Sequence, residues 1–384
     1  MVVVSATARR ARIGAAIAIV LFSFLSGSVA APAETESSEH HRFKLTVVAG
    51  GLEHPWSLAF LPDGRMLVTE KGGQLRIVAG DGQVSPPVSG VPKTREHGQG
   101  GLMDVVLHPD FSSNALIYLS YAGISGRLAG TDVARARLTE TGLEDLEVIF
   151  SAAPKFKGGR HFGSRLLFLP DGTLIVTLGD RGNRPNGQNL GVHPGSIIRI
   201  NEDGTVPADN PLMSLEGVKP EIYTYGNRNV QGIARDPESG RVWAHEHGPQ
   251  GGCEINLIKS GANYGWADIT FGRNYVTGTR IGEGEHRQGV NDPAWQWTPS
   301  IAPSGMAFYS GTKFPQWRGN LFVGSLKFAM LSRMTLDGKN IIAEERLLEN
   351  RLGRIRDVRQ GPDGFIYLLT DASNGKLVRL EPAD

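Results

Sequence analysis

The stretch Leu166-Leu-Phe-Leu-Pro-Asp-Gly-Thr-Leu-Ile-Val-Thr177 decides the fold. Two apolar runs flank the turn Pro170-Asp171-Gly172. Proline presets φ, and Asp-Gly closes a turn that reverses a strand. The same strand, turn and second strand recur at Leu58–Thr69, Val105–Phe111, Gly232–Gly240, Met306–Gln316 and Val358–Tyr367. The turn prolines are Pro62, Pro109, Pro170, Pro237, Pro315 and Pro362. A third strand with polar-apolar alternation follows each hairpin, as in Gln74-Leu-Arg-Ile-Val78 and Ser196-Ile-Ile-Arg-Ile200; period 2 marks a strand with one wet face. Six such repeats predict an all-β fold, a six-bladed β-propeller of four-stranded antiparallel blades. A solenoid would need shorter, more regular repeats. The uneven spacing predicts long loops around 204–222 and 268–300, where a rigid ring carries its sites.

Composition narrows the function classes. Of 384 residues, 40 are Lys or Arg and 39 are Asp or Glu, so no basic excess exists to neutralise nucleic-acid phosphates. The 50 glycines fit many tight turns. Cys253 is the only cysteine, which excludes an internal disulfide, and no Cys/His zinc spacing accompanies it. Arg9, Arg10 and Arg12 precede the mostly apolar run Ile13–Leu25 and the small residues Gly27–Ala31. That order predicts an export signal over 1–30, cleaved after Ala30. An uncleaved anchor is the competing reading, but the run is short for a membrane span. Residues 31–42 then form a flexible leader and 43–384 the propeller. The protein is expected to be periplasmic or secreted, with no stable membrane insertion after cleavage, as a monomer or homodimer.

In a propeller, the first strand of each blade lines the central channel. The residues just before those strands are His54, Gln99, His161, Arg228-Asn229, Ser304 and Arg354, and all are polar. The second strands return to the same face at Glu70-Lys71, Tyr121, Asp180, Glu246-His247, Lys327 and Asp371. One site with convergent polar groups is expected there. Arg228, Lys327, Arg354 and Arg356 suit a polyanion, and arginine forks suit carboxylates. Arg354 and Arg356 flank Ile355, so period 2 turns both to one side. A nucleotide is disfavoured, because neither a P-loop nor a Gly-x-Gly-x-x-Gly helix start is present. His161 is the candidate general base, and Asp180, at the returning end of its hairpin, the carboxylate that orients it. No Gly-x-Ser-x-Gly elbow is present. His245-Glu246-His247 lacks the helical spacing of a zinc site, and structural roles are expected for it.

Several linked motifs resemble the soluble quinoprotein sugar dehydrogenases. They are Gln99-Gly-Gly-Leu-Met-Asp104, His161 followed by Gly163-Ser-Arg165, Leu178-Gly-Asp180, Tyr225-Gly-Asn-Arg-Asn-Val-Gln-Gly232, Glu246-His-Gly-Pro249, Glu254-Ile-Asn256, Asn263-Tyr-Gly-Trp266 and Arg354-Ile-Arg-Asp-Val358. The resemblance runs from about Leu45 to Pro382. It implies pyrroloquinoline quinone and calcium as cofactors and an aldose as substrate, with electrons passed to an external quinone, cytochrome or dye. It implies that Gln99, Arg228, Asn229, Lys327, Arg354 and Arg356 hold the quinone carboxylates, joined by Ser300 or Ser304. It implies calcium on the backbone carbonyls of Gly248 and Pro249, and a second, structural calcium at Glu254 with the backbone of Tyr264. Arg160 stands before His161 where glucose dehydrogenase relatives can carry an acid. Two rival functions fit the same fold: a calcium-dependent lactonase, whose metal would sit among acidic side chains on the axis, and a non-catalytic binding propeller.

Overall fold

The computed structural model describes residues 1–5 and 35–383. Apart from residues 1–5, the export signal lies outside the described residues, as does residues 31–34 of the leader. Among the described residues, no helix is long and apolar enough to cross a membrane.

Residues 35–383 form six antiparallel sheets among the described residues. Blade one comprises Pro55–Phe60, Met66–Glu70 and Gln74–Val78. Blade two comprises Leu102–Leu107, Leu116–Ser125, Leu128–Leu138 and Leu143–Ser151. Blade three comprises Leu166–Phe168, Leu174–Thr177, Ser196–Ile200 and Ile222–Tyr225. Blade four comprises Val230–Arg235, Val242–Glu246, Cys253–Leu257 and Trp295–Trp297. Blade five comprises Pro303–Phe308, Leu321–Ser325, Leu331–Asp337 and Asn340–Leu347. Blade six begins with Ile355–Gln360, Ile366–Thr370 and Gly375–Pro382. The first strand of each blade touches that of the next, and the sixth touches the first, so the ring closes.

Two blades depart from the four-stranded expectation. Blade one has three strands, extended only by an isolated bridge between Val78 and Val84. Pro86 and Pro87 follow at once, and proline cannot donate to a ladder. Blade six has five strands, because Arg42–Leu52 pairs with Gly375–Pro382 and Thr35–Ser37 pairs in turn with Arg42–Lys44. The leader expected to be flexible is therefore a strand edge from Thr35 onward. Glu36 and Glu39 tie that edge to Arg351 and Arg333 at 2.7 and 3.1 Å.

The core lies between blades rather than along the axis. Trp317, Phe314, Phe322 and Phe43 fill the gap between blades five and six, and Trp243, Trp297 and Met334 that between four and five. Phe43, Phe322, Trp243, Trp297 and Met334 come from strands, where period 2 turns alternate side chains to each face, while Phe314 and Trp317 come from the short helical turn at Pro315–Trp317. The axis carries charge instead. Arg165 lies 2.9 Å from Asp357 and 3.3 Å from Asp104. Arg359 lies 2.9 Å from each of the same carboxylates. Ser57 and the Leu166 amide also donate to Asp104. All but Arg359 are buried. Unpaired, each charge would cost several kcal/mol; paired across three blades, they lock the inner strands in register and plug the channel beneath one face.

Candidate active site

On that face the loops before the first strands and after the second strands converge. His161 adopts a left-handed backbone with φ of 53°, a conformation that non-glycine residues seldom hold without support. Its amide donates to Gln99 Oε1 at 2.7 Å. Its carbonyl lies against Gly179, where a Cβ would come within 2.3 Å of it. That close approach is why Leu178-Gly-Asp180 needs glycine at its centre.

His161 Nδ1 is 2.6 Å from Asp180 Oδ1. The same oxygen accepts the Gly182 amide at 2.6 Å, and Oδ2 accepts the Trp266 indole N–H at 2.7 Å. A carboxylate with three donors is held ionised and fixed in place. Burial alone would raise Asp180, but the bond from His161, its charge and the Gly182 amide outweigh this and hold the carboxyl below its ordinary range. Burial pushes the His161 imidazole below its ordinary range, against the opposing pull of Asp180. At neutral pH the ring is uncharged. Nδ1–H faces Asp180, and Nε2 has no partner among the described residues. Such a ring, with its lone pair free, can act as a general base.

Gln99, His161, Arg228, Gly248, Pro249, Ser300 and Lys327 line one cavity of about 460 Å³. Gln99, Arg354, Arg356, Trp56, Lys71 and Asp371 line an adjoining cavity of about 300 Å³. Gln99, His247 and Ala302 are common to both, so the two are lobes of one site. Asp371 lies within 2.9 Å of Arg354 and 2.8 Å of Arg356, and accepts from His54 at 3.0 Å. Burial would raise its carboxyl; Arg356, His54 and Arg354 together drive it far below the usual range. Asp371 thus sets the direction of both arginine forks.

The remaining expected residues take their places in or just behind these walls. Asn229 is fully buried and bonds the Gly163 amide through Oδ1 at 3.1 Å, under the His161 loop. Ser300 faces the cavity and donates to the Pro249 carbonyl at 2.8 Å. Ser304 turns into the ring and donates to Ile355 at 2.6 Å. Arg228 donates to the carbonyls of His247 and Gly248 at 2.8 and 3.2 Å. A Cβ on Gly248 would meet the Gly252 carbonyl at 2.0 Å, so only glycine presents its carbonyl here.

Glu254 and Tyr264 line a small neighbouring pocket with Arg228, Glu246 and Gly248. Glu246 and Glu254 are partners across adjacent strands. Burial, and then Glu246, push the Glu254 carboxyl well above its ordinary range. Asn256 Oδ1 is buried there without a partner. In the His245-Glu246-His247 run, His247 bonds the Pro303 carbonyl, Glu246 accepts the Asn227 amide and the Arg228 N–H, and His245 is buried against Gly232.

Two groups escaped the sequence reading. Trp266 was visible in a motif, but its partner Asp180 is 86 positions away. Its ring also lies 5.3 Å beneath the Arg228 guanidinium. Gln188 bonds Asn263 and the Trp266 carbonyl at 3.0 and 2.8 Å and so braces the same loop.

Comparison with known proteins follows the same lines. The sequence model of the glucose/sorbosone dehydrogenase family matches residues 52–379. The aldose sugar dehydrogenase YliI of Escherichia coli K12 is 45% identical over 343 residues, covering 88% of this chain and 92% of that protein. The crystal structure of the apo-form of the soluble E. coli aldose sugar dehydrogenase superposes with a TM-score of 0.86 at 44% identity, covering 89% of this chain and all of that one. The PQQ-bound aldose sugar dehydrogenase from Streptomyces coelicolor gives a TM-score of 0.71 at 29% identity, covering 88% and 98%. The chain belongs to the glucose/sorbosone dehydrogenase family.

Proposed function

We propose that this protein oxidises the anomeric hydroxyl of aldose sugars to the lactone, using pyrroloquinoline quinone and calcium, and passes the electrons to an external acceptor. The observation that carries this is the His161–Asp180 pair opening on a cavity lined by fixed cations. The quinone's three carboxylates fit a donor set of Arg228, Lys327, Arg354 and Arg356, with Gln99 at the junction of the two lobes. When bound, the quinone supplies a two-electron acceptor for the hydride leaving the sugar carbon. Its relative from S. coelicolor has been described in a PQQ-bound form.

The chain's own residues account for the proton. Nε2 of His161 takes it from the anomeric hydroxyl. Asp180, across 2.6 Å, stabilises the imidazolium so formed. Arg228 and Lys327 hold positive charge where negative charge develops in the transition state. The carbonyls of Gly248 and Pro249 fit calcium, a hard cation that takes oxygen ligands, and calcium there supplies Lewis acidity. Glu254, the orphaned Asn256 oxygen and the Tyr264 backbone fit a second calcium, since two facing carboxylates call for a cation beside them. The axial carboxylates Asp104 and Asp357 are engaged by Arg165 and Arg359. They offer no open acidic cage of the kind a lactonase metal requires.

The test is direct. The apo protein is supplied with pyrroloquinoline quinone and calcium, then with glucose and an artificial acceptor dye. Dye reduction dependent on both cofactors is expected. No reduction with any of several aldoses would refute the function.

A further inference from the structure

One wall of the larger cavity has no part in the chemistry above. The loop joining the third and fourth strands of blade four doubles back as a hairpin. Arg273 exchanges both backbone hydrogen bonds with Gln250, each 3.2 Å long, immediately after Pro249. The Asn274 amide donates to Thr279 at 2.9 Å, and Arg184 reaches Asn274 Oδ1 at 2.6 Å. At the tip the Thr277 amide donates to the Tyr275 carbonyl at 2.8 Å, closing a three-residue turn around Val276. Val276 has φ of 71°, a conformation rare and strained for a β-branched residue. The hairpin is thus anchored at both flanks and bent hard at its end.

That bend carries Tyr275 and Val276 to the cavity of His161, Gln99, Arg228 and Lys327. Tyr275 is 59% exposed and Val276 wholly so. Among the described residues, the Tyr275 side chain has no hydrogen-bond or ring partner. It is also the only benzenoid ring among the described residues lining this cavity. Apart from the small Cys253 and Ala302, the other walls are mostly cationic, imidazole, amide, hydroxyl or carbonyl groups, suited to carboxylates and hydroxyls. A pyranose ring has hydroxyls at its edge and C–H bonds on its faces. The faces need an apolar partner, and an unpacked aromatic ring at the mouth supplies one.

We propose that Tyr275 determines sugar specificity: its ring, presented by the strained hairpin tip, is the platform on which the C–H face of the aldose rests while His161 takes the proton. This rests on the function proposed above. It assigns Tyr275 to the sugar and not to the quinone.

The experiment compares wild type, Tyr275→Ala and Tyr275→Phe, each loaded with quinone and calcium. Three readouts are taken: quinone affinity by quenching of tryptophan fluorescence, aldose affinity by calorimetry with the quinone reduced so that no turnover occurs, and the KM and kcat of dye reduction. For Tyr275→Ala, aldose affinity is expected to weaken and KM to rise about tenfold, about the weight of one aromatic contact. Its kcat is expected to change less than KM, and its quinone affinity to hold within about twofold. Tyr275→Phe is expected to keep most of the sugar affinity, since the ring acts and not the hydroxyl. Unchanged aldose affinity in Tyr275→Ala overturns the assignment, as does a loss of quinone affinity with KM unmoved. Failure of the wild type itself to reduce dye would instead remove the function, and this inference with it.

Discussion

Replacing Asp180 with asparagine preserves shape and removes one acceptor. Asp180 serves three donors: His161 Nδ1 and the Gly182 amide at 2.6 Å, and the Trp266 indole at 2.7 Å. Asparagine has a single oxygen. If its NH2 turns to Trp266, two donors face each other. If it turns to His161, the ring must accept at Nδ1 and carry its proton on Nε2, so it can no longer act as a base. A hydrogen bond to a charged group is worth about 1.5–3 kcal/mol. At 1.36 kcal/mol per tenfold, the lost stabilisation of the imidazolium alone is roughly 10- to 100-fold in rate. The misplaced tautomer adds to this, within the range of about 10²–10⁴ for a general base. A fall in kcat of about 300-fold is expected.

The pH profile separates this mechanism from simple damage. The base must be neutral, so kcat/KM rises with pH through the His161 pKa and then levels off. Burial already holds that pKa below the ordinary histidine range, and Asp180 raises it in part. Removing the carboxylate therefore moves the acid limb to still lower pH. The assay is dye reduction between about pH 4 and 8, with quinone affinity measured separately by fluorescence. Activity within threefold of wild type, or an acid limb that moves up, would refute the reasoning.

Trp266→Phe removes one donor from Asp180 while keeping a ring beside Arg228; kcat is expected to drop about 3- to 10-fold at preserved thermal stability, read by steady-state kinetics and calorimetry. Asp371→Asn removes the partner of Arg354 and Arg356; it is expected to cost about 2–3 kcal/mol in urea unfolding at neutral pH. Because its folded pKa is depressed, that contribution is full above the ordinary carboxylate range and is lost as pH falls below about 4, so wild type and variant should converge in stability toward acid. Chelation of calcium is expected to lower stability by about 3 kcal/mol relative to a hundredfold excess of the ion over its Kd, restored by calcium and not by magnesium. Glu254→Gln should leave unfolding largely insensitive to chelator.

The ring was legible because its signal is local. Each hairpin announces itself by a proline or Asp-Gly turn between two apolar runs, and six such turns count the blades. What eluded the sequence depends on partners far apart in the chain. Arg42–Leu52 reads like any alternating strand, and nothing in it names Gly375–Pro382 as its neighbour. Blade one lost its fourth strand to Pro86-Pro87, a local signal that the repeat count overrode. In the site, His161, Asp180 and the cations share a structural register, so position relative to the turns identified them. Arg165, Asp104, Asp357 and Arg359 gave no such sign. Nothing in their spacing pairs them, and only closure of the ring brings Arg165 to within 3.3 Å of both carboxylates. Trp266 belongs to the same class, since a buried donor's role is set by an acceptor on another blade.

Closure by the first and last strands also orders events during synthesis. Arg42–Leu52 is made long before its partner Gly375–Pro382 and must wait for it. Blade six is therefore incomplete, and the ring an open arc, until Gly375–Pro382 has emerged from the ribosome. Arg354, Arg356 and Asp371 flank or lie in that blade's first two strands, so the cavity lobe they line is completed with it. A chain grown short of Gly375–Pro382 therefore lacks part of the cavity wall. By the same token Arg42–Leu52 and Gly375–Pro382 lie side by side in one sheet. Joining them and opening the chain at an inter-blade loop would give a permuted protein whose ring is completed at a different seam.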